Sequence, residues 1–347
     1  LPGEASGIDL NFLAPSSNAS DAARVTVENG ALFTIQDGAN VTFQSNGRFN
    51  FGTGGGVGSG QMTGGTLTLN NADTYSTFNI GFGTTGTGSQ SGSGSFTQSA
   101  GAVQLNGSAF QIGVQDAMGR YYMNGGSLNL TSGSTIYVGE FTHGDGLLQI
   151  SGNSQFTTED VSSGSGTQIF IGTNGGSGTI LQDGAGSLVD IDSGGNAFWF
   201  GVTDSAAIDG GHGTYDLRAG QFKVQGANGI FFGRNSNTTG DFLQSGGEFA
   251  ANTAVVIGYD GTGTYALSGG TSTMNNGLVV AARSGSGTVN QTGGALTVTG
   301  GLSLGPNTGT ATYNLNGGTF SVDAISDGNP SSVFNFGGRT LIASQSF

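Results

Sequence analysis

Carboxylates and histidines that lie close in sequence are the natural first candidates for chemistry, because a polysaccharide lyase or hydrolase needs acidic groups on one face with a base or cation nearby. Asp190 and Asp192 are two residues apart, so a strand would put both on the same face. Asp209, His212 and Asp216 cluster in one segment, and His143 lies beside Glu140 and Asp145 in another. No further residue orients these groups, so they read as solvated turn residues, and the sequence points away from an enzyme. Calcium is the other option: Gly210-Gly-His-Gly-Thr-Tyr215-Asp216 approaches the Gly-Gly-x-Gly-x-Asp repeat, but its aspartate falls one residue late and the unit does not recur. Asp183-Gly-Ala-Gly-Ser187 fails in the same way. No resident cofactor is expected. An isolated Ca²⁺ in an acidic loop stays open as an alternative, since that ion takes clustered oxygen ligands. Tyr121, Tyr122 and Trp199 could stack on surface glycans, although Trp199 and Phe198 read more simply as the two sides of a half-buried strand.

The elements that must position these groups follow from a repeat. One landmark is an apolar residue followed by Gly: Phe51-Gly52, Ile80-Gly81, Ile112-Gly113, Val138-Gly139, Ile171-Gly172, Phe200-Gly201, Phe232-Gly233, Ile257-Gly258, Leu304-Gly305 and Phe336-Gly337, with Val280-Ala281 degenerate. The other is a Gly-Gly turn into an alternating strand, as at Gly64-Gly65, Gly125-Gly126, Gly246-Gly247, Gly269-Gly270, Gly293-Gly294 and Gly317-Gly318. The two landmarks alternate along the chain. Gly258 to Ala281 is 23 residues and Ala281 to Gly305 is 24, which sets the bare coil; longer coils, up to about 33 residues, carry loop insertions. One bare coil reads Gly263-Thr-Tyr265-Ala-Leu267, a Gly-Gly turn, Thr271 to Met274, an Asn-Gly turn, then Leu278-Val279-Val280. The fold class is therefore all-β: a single elongated β-solenoid, a parallel β-helix of about ten to eleven triangular three-strand coils. At a rung spacing of ~4.8 Å the rod is on the order of 50 Å long.

Composition agrees. Of 347 residues 70 are Gly and only 9% are charged, yet 23 Phe and 8 Tyr supply more apolar surface than a disordered chain carries. Net charge is −14 with a single lysine, which argues against nucleic acid and against an anionic membrane surface. No apolar run reaches the ~18–20 residues that span a bilayer, so membrane insertion is not expected. Cysteine is absent, so neither disulfides nor thiolate metal sites contribute.

Units such as Gly261-Thr-Gly-Thr-Tyr-Ala-Leu-Ser-Gly-Gly270, Gly309-Thr-Ala-Thr-Tyr-Asn-Leu-Asn-Gly-Gly-Thr-Phe320 and Val333-Phe-Asn-Phe-Gly-Gly-Arg-Thr-Leu341 resemble the autotransporter-associated β-strand repeats of large bacterial secreted proteins. The resemblance extends from about Gly52 to Leu341. It implies a right-handed parallel β-helix exported to the bacterial cell surface or beyond, with no catalytic site. The irregular loops between Gly81 and Gly233 depart from the cleaner repeats of that family.

The ends differ from the middle. Residues 1–24 read as an N-terminal cap or donor-strand arm, with a short helical turn over 16–24 and an alternating run carrying Ile8, Leu10 and Phe12; residues 25–347 read as the solenoid. Val333, Phe334, Phe336, Leu341 and Ile342 form strands with no polar cap. Either the protein continues beyond them or this edge pairs with another copy, and head-to-tail pairing that does not close makes a filament. The leading expectation is a structural subunit of an extracellular or cell-surface fibre, joined to copies of itself at these edges. The alternative is an adhesin or autotransporter passenger stalk that binds glycans or neighbouring surfaces. A polysaccharide-processing enzyme is a distant third.

Overall fold

Alternation of apolar and polar residues dictates which side of each strand is buried. In Asn40–Gln44 the apolar Val41 and Phe43 are buried while their neighbours face outward, and Thr66–Asn70 repeats the pattern with Leu67 and Leu69. The computed structural model describes residues 9–12, 24–44, 47–70, 76–83, 91–131, 133–159, 167–192, 194, 197–203, 210–226 and 228–344. All strand pairings there are parallel and no described residue is helical, so the chain is a parallel β-solenoid.

Three faces stack along the rod. Face I runs from Ala31–Ile35 to Val333–Phe336, face II from Asp9–Phe12 to Thr340–Ala343, and face III from Arg24–Val27 to Ile325–Asp327. Face III is a 12-stranded sheet of its own. Faces I and II join into one 23-stranded sheet because Ser286–Val298 and Thr310–Val322 run unbroken around the corner between them. Taken in the order I, II, III, the described residues complete eleven coils, with two strands left over at each end. The expected coil count and triangular section are met.

The core is a single stack of inward columns, rich in rings. Phe49, Phe78 and Phe110 occupy one register column of face III and stack at 5.6 and 5.0 Å with interplanar angles of 14° and 15°. Such pairs add stabilisation beyond their buried area.

Both glycine landmarks are corners. The apolar-Gly step closes face III, and the Gly-Gly step turns face I into face II. At Gly126, φ is +81° and an added Cβ would lie 2.4 Å from the Gly101 carbonyl one coil away, so the corner needs glycine on both counts. Phe336-Gly337 departs from this scheme. Its strand pairs with Thr312 to Leu315 and lies on face I, whereas the last face III strand is Ile325–Asp327. Measured to Gly328, the final interval is 23 residues from Gly305, a bare coil.

The alternating run at the N-terminus is already part of the rod. Asp9–Phe12 pairs with Asn40–Gln44 of its own chain, and Arg24 opens the first face III strand, so the solenoid starts before residue 25. Ile8 and residues 16–23 of the helical turn expected over 16–24 lie outside the described residues, and its last residue, Arg24, is strand.

Candidate functional site: two open edges

The clusters that looked capable of chemistry are taken apart by the fold. Asp190 and Asp192 do share the outward side of Leu188–Asp192 and, with Glu159, line a shallow recess. Gln225 Nε2 donates to Asp190 Oδ1 at 3.1 Å, and neither histidine lines that recess. His212 pairs with Asp241 (2.8 Å), while Asp216 pairs with Arg218 (2.7 Å). His143 pairs with Asp116 (2.8 Å) and Asp145 with Arg120 (2.6 Å), whereas Glu140 is buried and accepts from Gln111 Nε2. Asp209 lies outside the described residues. Asp183 accepts from Ser151 Oγ and, at 2.9 Å, from Gln149 Nε2. Among the described residues no three acidic or histidine side chains come together as a metal cage.

The hydrogen bond to Asp241 raises the pKa of His212, against a smaller opposing effect of partial burial. Tyr121 is not a surface aromatic. It is fully buried, and burial pushes its hydroxyl far above the usual range, so it stays protonated and donates to Gln98 Oε1 at 2.6 Å. Trp199 does straddle its strand with Phe198 in the core.

What remains exposed and apolar gathers at the two ends. Seven large apolar side chains are exposed among the described residues, and four of them, Leu32, Val333, Phe336 and Ile342, sit on terminal strands. Leu32 is 61% exposed and Phe336 52%. Inward positions are also left half-covered: Val25 and Phe33 at one end, Ile325, Phe334 and Leu341 at the other. Sequence reading placed the C-terminal set but missed Leu32, Phe33 and Ile35. Their signal is the alternation of Ala31–Ile35, which precedes the first Gly-Gly landmark.

The register makes these edges comparable position by position, because each column can be followed from coil to coil. On face I, Leu32 begins the column that ends at Val333, Phe33 the one that ends at Phe334, and Ile35 the one that ends at Phe336. On face II, Leu10 begins the column that ends at Leu341. Polar positions match as well. Asn290, Asn314 and Asn335 form a ladder with 2.7 Å amide contacts, and its column begins at Thr34, a residue type that elsewhere donates to the asparagine one coil away (Thr157 to Asn129, 2.7 Å). Two columns do not match: on face III the column of Val27 ends at Asp327, and on face II the column of Asn11 ends at Ile342.

No protein-family model, no curated protein and no solved structure matches this chain. The fold and edges define its class as a parallel β-solenoid whose described residues end on open strands at both extremities.

Proposed function

We propose that this chain is a structural subunit of an extracellular or cell-surface fibre, assembled head to tail through its two open edges. The observation that carries the reading is the column match: stacking the Ala31–Ile35 edge of one copy on the Val333–Phe336 edge of the next puts apolar on apolar at three face I positions and threonine on asparagine at a fourth. Among the described residues face II has one strand more than faces I and III, so in this stack Asp9–Phe12 yields its place on Asn40–Gln44 to the neighbour's Thr340–Ala343. An open edge is a template for another strand, and a second copy offers the same spacing and the same inward pattern. The junction is heterologous and does not close, so it propagates. Resemblance to repeats of exported bacterial proteins supports a site of action outside the cell.

Electron microscopy of the purified protein tests this directly. Filaments with a subunit repeat of about 58 Å are expected, that being twelve rungs at the ~4.8 Å strand spacing. Leu32 and Val333 face outward, so changing them leaves the core intact. L32E with V333E in one chain puts like charges across each junction and dissolves the filaments, while L32K with V333E restores them. Monodisperse monomers of the unaltered chain at high concentration, or equal assembly by both double variants, would overturn the proposal.

A further inference from the structure

One outward column of face III changes character halfway along the rod. Asn50, Asn79 and Gln111 occupy it in successive coils, and Tyr137, Phe170, Trp199 and Phe231 continue it in the next four. The rings form a ledge: Tyr137 and Phe170 stack at 5.1 Å with 8° between planes, and Phe170 meets Trp199 at 4.6 Å. All four are only partly covered.

Along this same track buried polar atoms lack partners among the described residues. Asn79 is 6% exposed and its amide donates to Asn50 Oδ1 at 2.7 Å, but Asn79 Oδ1 has no donor. Asn79 and Asn50 line a recess with Arg24 and Arg48, and Arg48 Nε is likewise buried and unpartnered. Four coils further on from Asn79, Trp199 Nε1 is in the same condition. Buried groups of this kind require a partner to offset their desolvation. The missing partner must donate to an amide oxygen, accept from an indole and a guanidinium, and lie flat on rings. It must also repeat at the ~4.8 Å rung spacing. A chain of sugars meets all these demands: its hydroxyls donate and accept, its ring faces are apolar, and its residues are close to one rung in length.

We infer that the outward side of face III is a binding track for a linear polysaccharide, with sugar rings on the Tyr137–Trp199 ledge and hydroxyls paired to Asn79, Arg48 and Trp199. The track runs along the side of the rod, so it operates in a single subunit and does not depend on end-to-end assembly.

Trp199 is the only tryptophan, so intrinsic fluorescence reports on the ledge alone. The intact protein is titrated with soluble hydroxyethylcellulose, laminarin and alginate, and migration through native gels containing each polymer is compared. A saturable emission shift and retardation are expected with at least one. Phe170→Ala and Asn79→Ala should each weaken that binding about tenfold, close to the loss of one good contact. The assembly-defective L32E/V333E chain should bind as the unaltered protein does. Silence of Trp199 toward all three polymers, or binding that Phe170→Ala, Asn79→Ala and the outward change Tyr137→Leu all leave unchanged, would overturn the inference.

Discussion

Buried amides and hydroxyls decide the finest level of this structure. Gln244 is buried. Its Oε1 accepts from Tyr265 Oη at 2.8 Å and Ser272 Oγ at 2.6 Å, while its Nε2 donates to the Thr271 carbonyl at 3.0 Å. The amide thereby closes the corner between faces I and II, and burial raises the Tyr265 hydroxyl well above its usual pKa, so it never competes as an anion. Gln244→Leu strands a carbonyl and leaves two hydroxyls with only each other, which should cost about 2–3 kcal/mol; Tyr265→Phe removes one donor and should cost about 1 kcal/mol. Denaturant titration of the two variants checks the ranking. His212 offers a pH test. Its pKa is raised in the folded chain by Asp241, so the pair's contribution is fully present below the unfolded value of 6.5 and fades as pH rises through the raised folded value. The side chain is half exposed, so the contribution to stability is small, but the titration itself is readable. In an NMR titration His212 should titrate above 6.5, and Asp241→Asn should bring it down; an unchanged midpoint would contradict the pairing.

At the level of strands, a glycine column inside face I matters as much as the corners. Gly94, Gly119, Gly146 and Gly178 pair with one another in successive coils. A Cβ on Gly119 would lie 2.1 Å from the Ile80 carbonyl and 2.2 Å from Gly113 N, because the first inward position of face I abuts the end of face III. Both obstacles are backbone, so Gly119→Ala should cost about 3 kcal/mol. At Gly30 nothing lies within 4 Å of an added Cβ and only its φ of +76° opposes one. Gly30→Ala should cost about 1–2 kcal/mol, and thermal melts of the two variants should separate accordingly. Corners were legible in the sequence because an apolar-Gly or Gly-Gly step recurs beside strand formers. Gly119 was not, because a glycine two residues into Met118–Met123 looks like a weak strand position until its neighbour across the corner is known. Phe336-Gly337 shows the converse: the dipeptide is right, but only the register reveals that it stands on face I. Of the candidate site, Val333, Phe334, Phe336, Leu341 and Ile342 were legible from strand propensity and the missing polar cap. Leu10 and Phe12 were legible from their alternation, whereas Leu32, Phe33 and Ile35 and, apart from Trp199, the face III track were not, since each partner lies a whole coil away in sequence.

The whole molecule repeats every two coils rather than every one through much of its length. On face I, Gln182, Gln244 and Gln291 end one strand, and Tyr215, Tyr265 and Tyr313 in the following coil donate to them at 2.7, 2.8 and 2.7 Å. Gln98 and Tyr121 make the same pair earlier, at 2.6 Å, followed by a coil with Leu148 and Ile150 that has neither. Glutamine coils and tyrosine coils thus come as doublets, and a solenoid's nearest-neighbour energetics should respect them. The regular region allows a clean test, since Thr262 aligns with Ser286 and Ser286 with Thr310, steps of 24 residues each. Removing residues 262–309 takes out two coils and brings Gln244 beneath Tyr313, with Thr319 in the place of Thr271, the surroundings Gln291 has now. Removing only 262–285 leaves Gln244 facing Val289 with no hydroxyl to receive, and removing only 286–309 leaves Tyr313 above Leu267 with no amide. Each single deletion therefore buries an unsatisfied polar group at a cost of about 1–3 kcal/mol. The doubly shortened rod should consequently resist denaturant better than either rod that is one coil longer. A two-coil deletion that proves the least stable of the three would show that coil number, not the Gln–Tyr pairing, sets the stability of the stack.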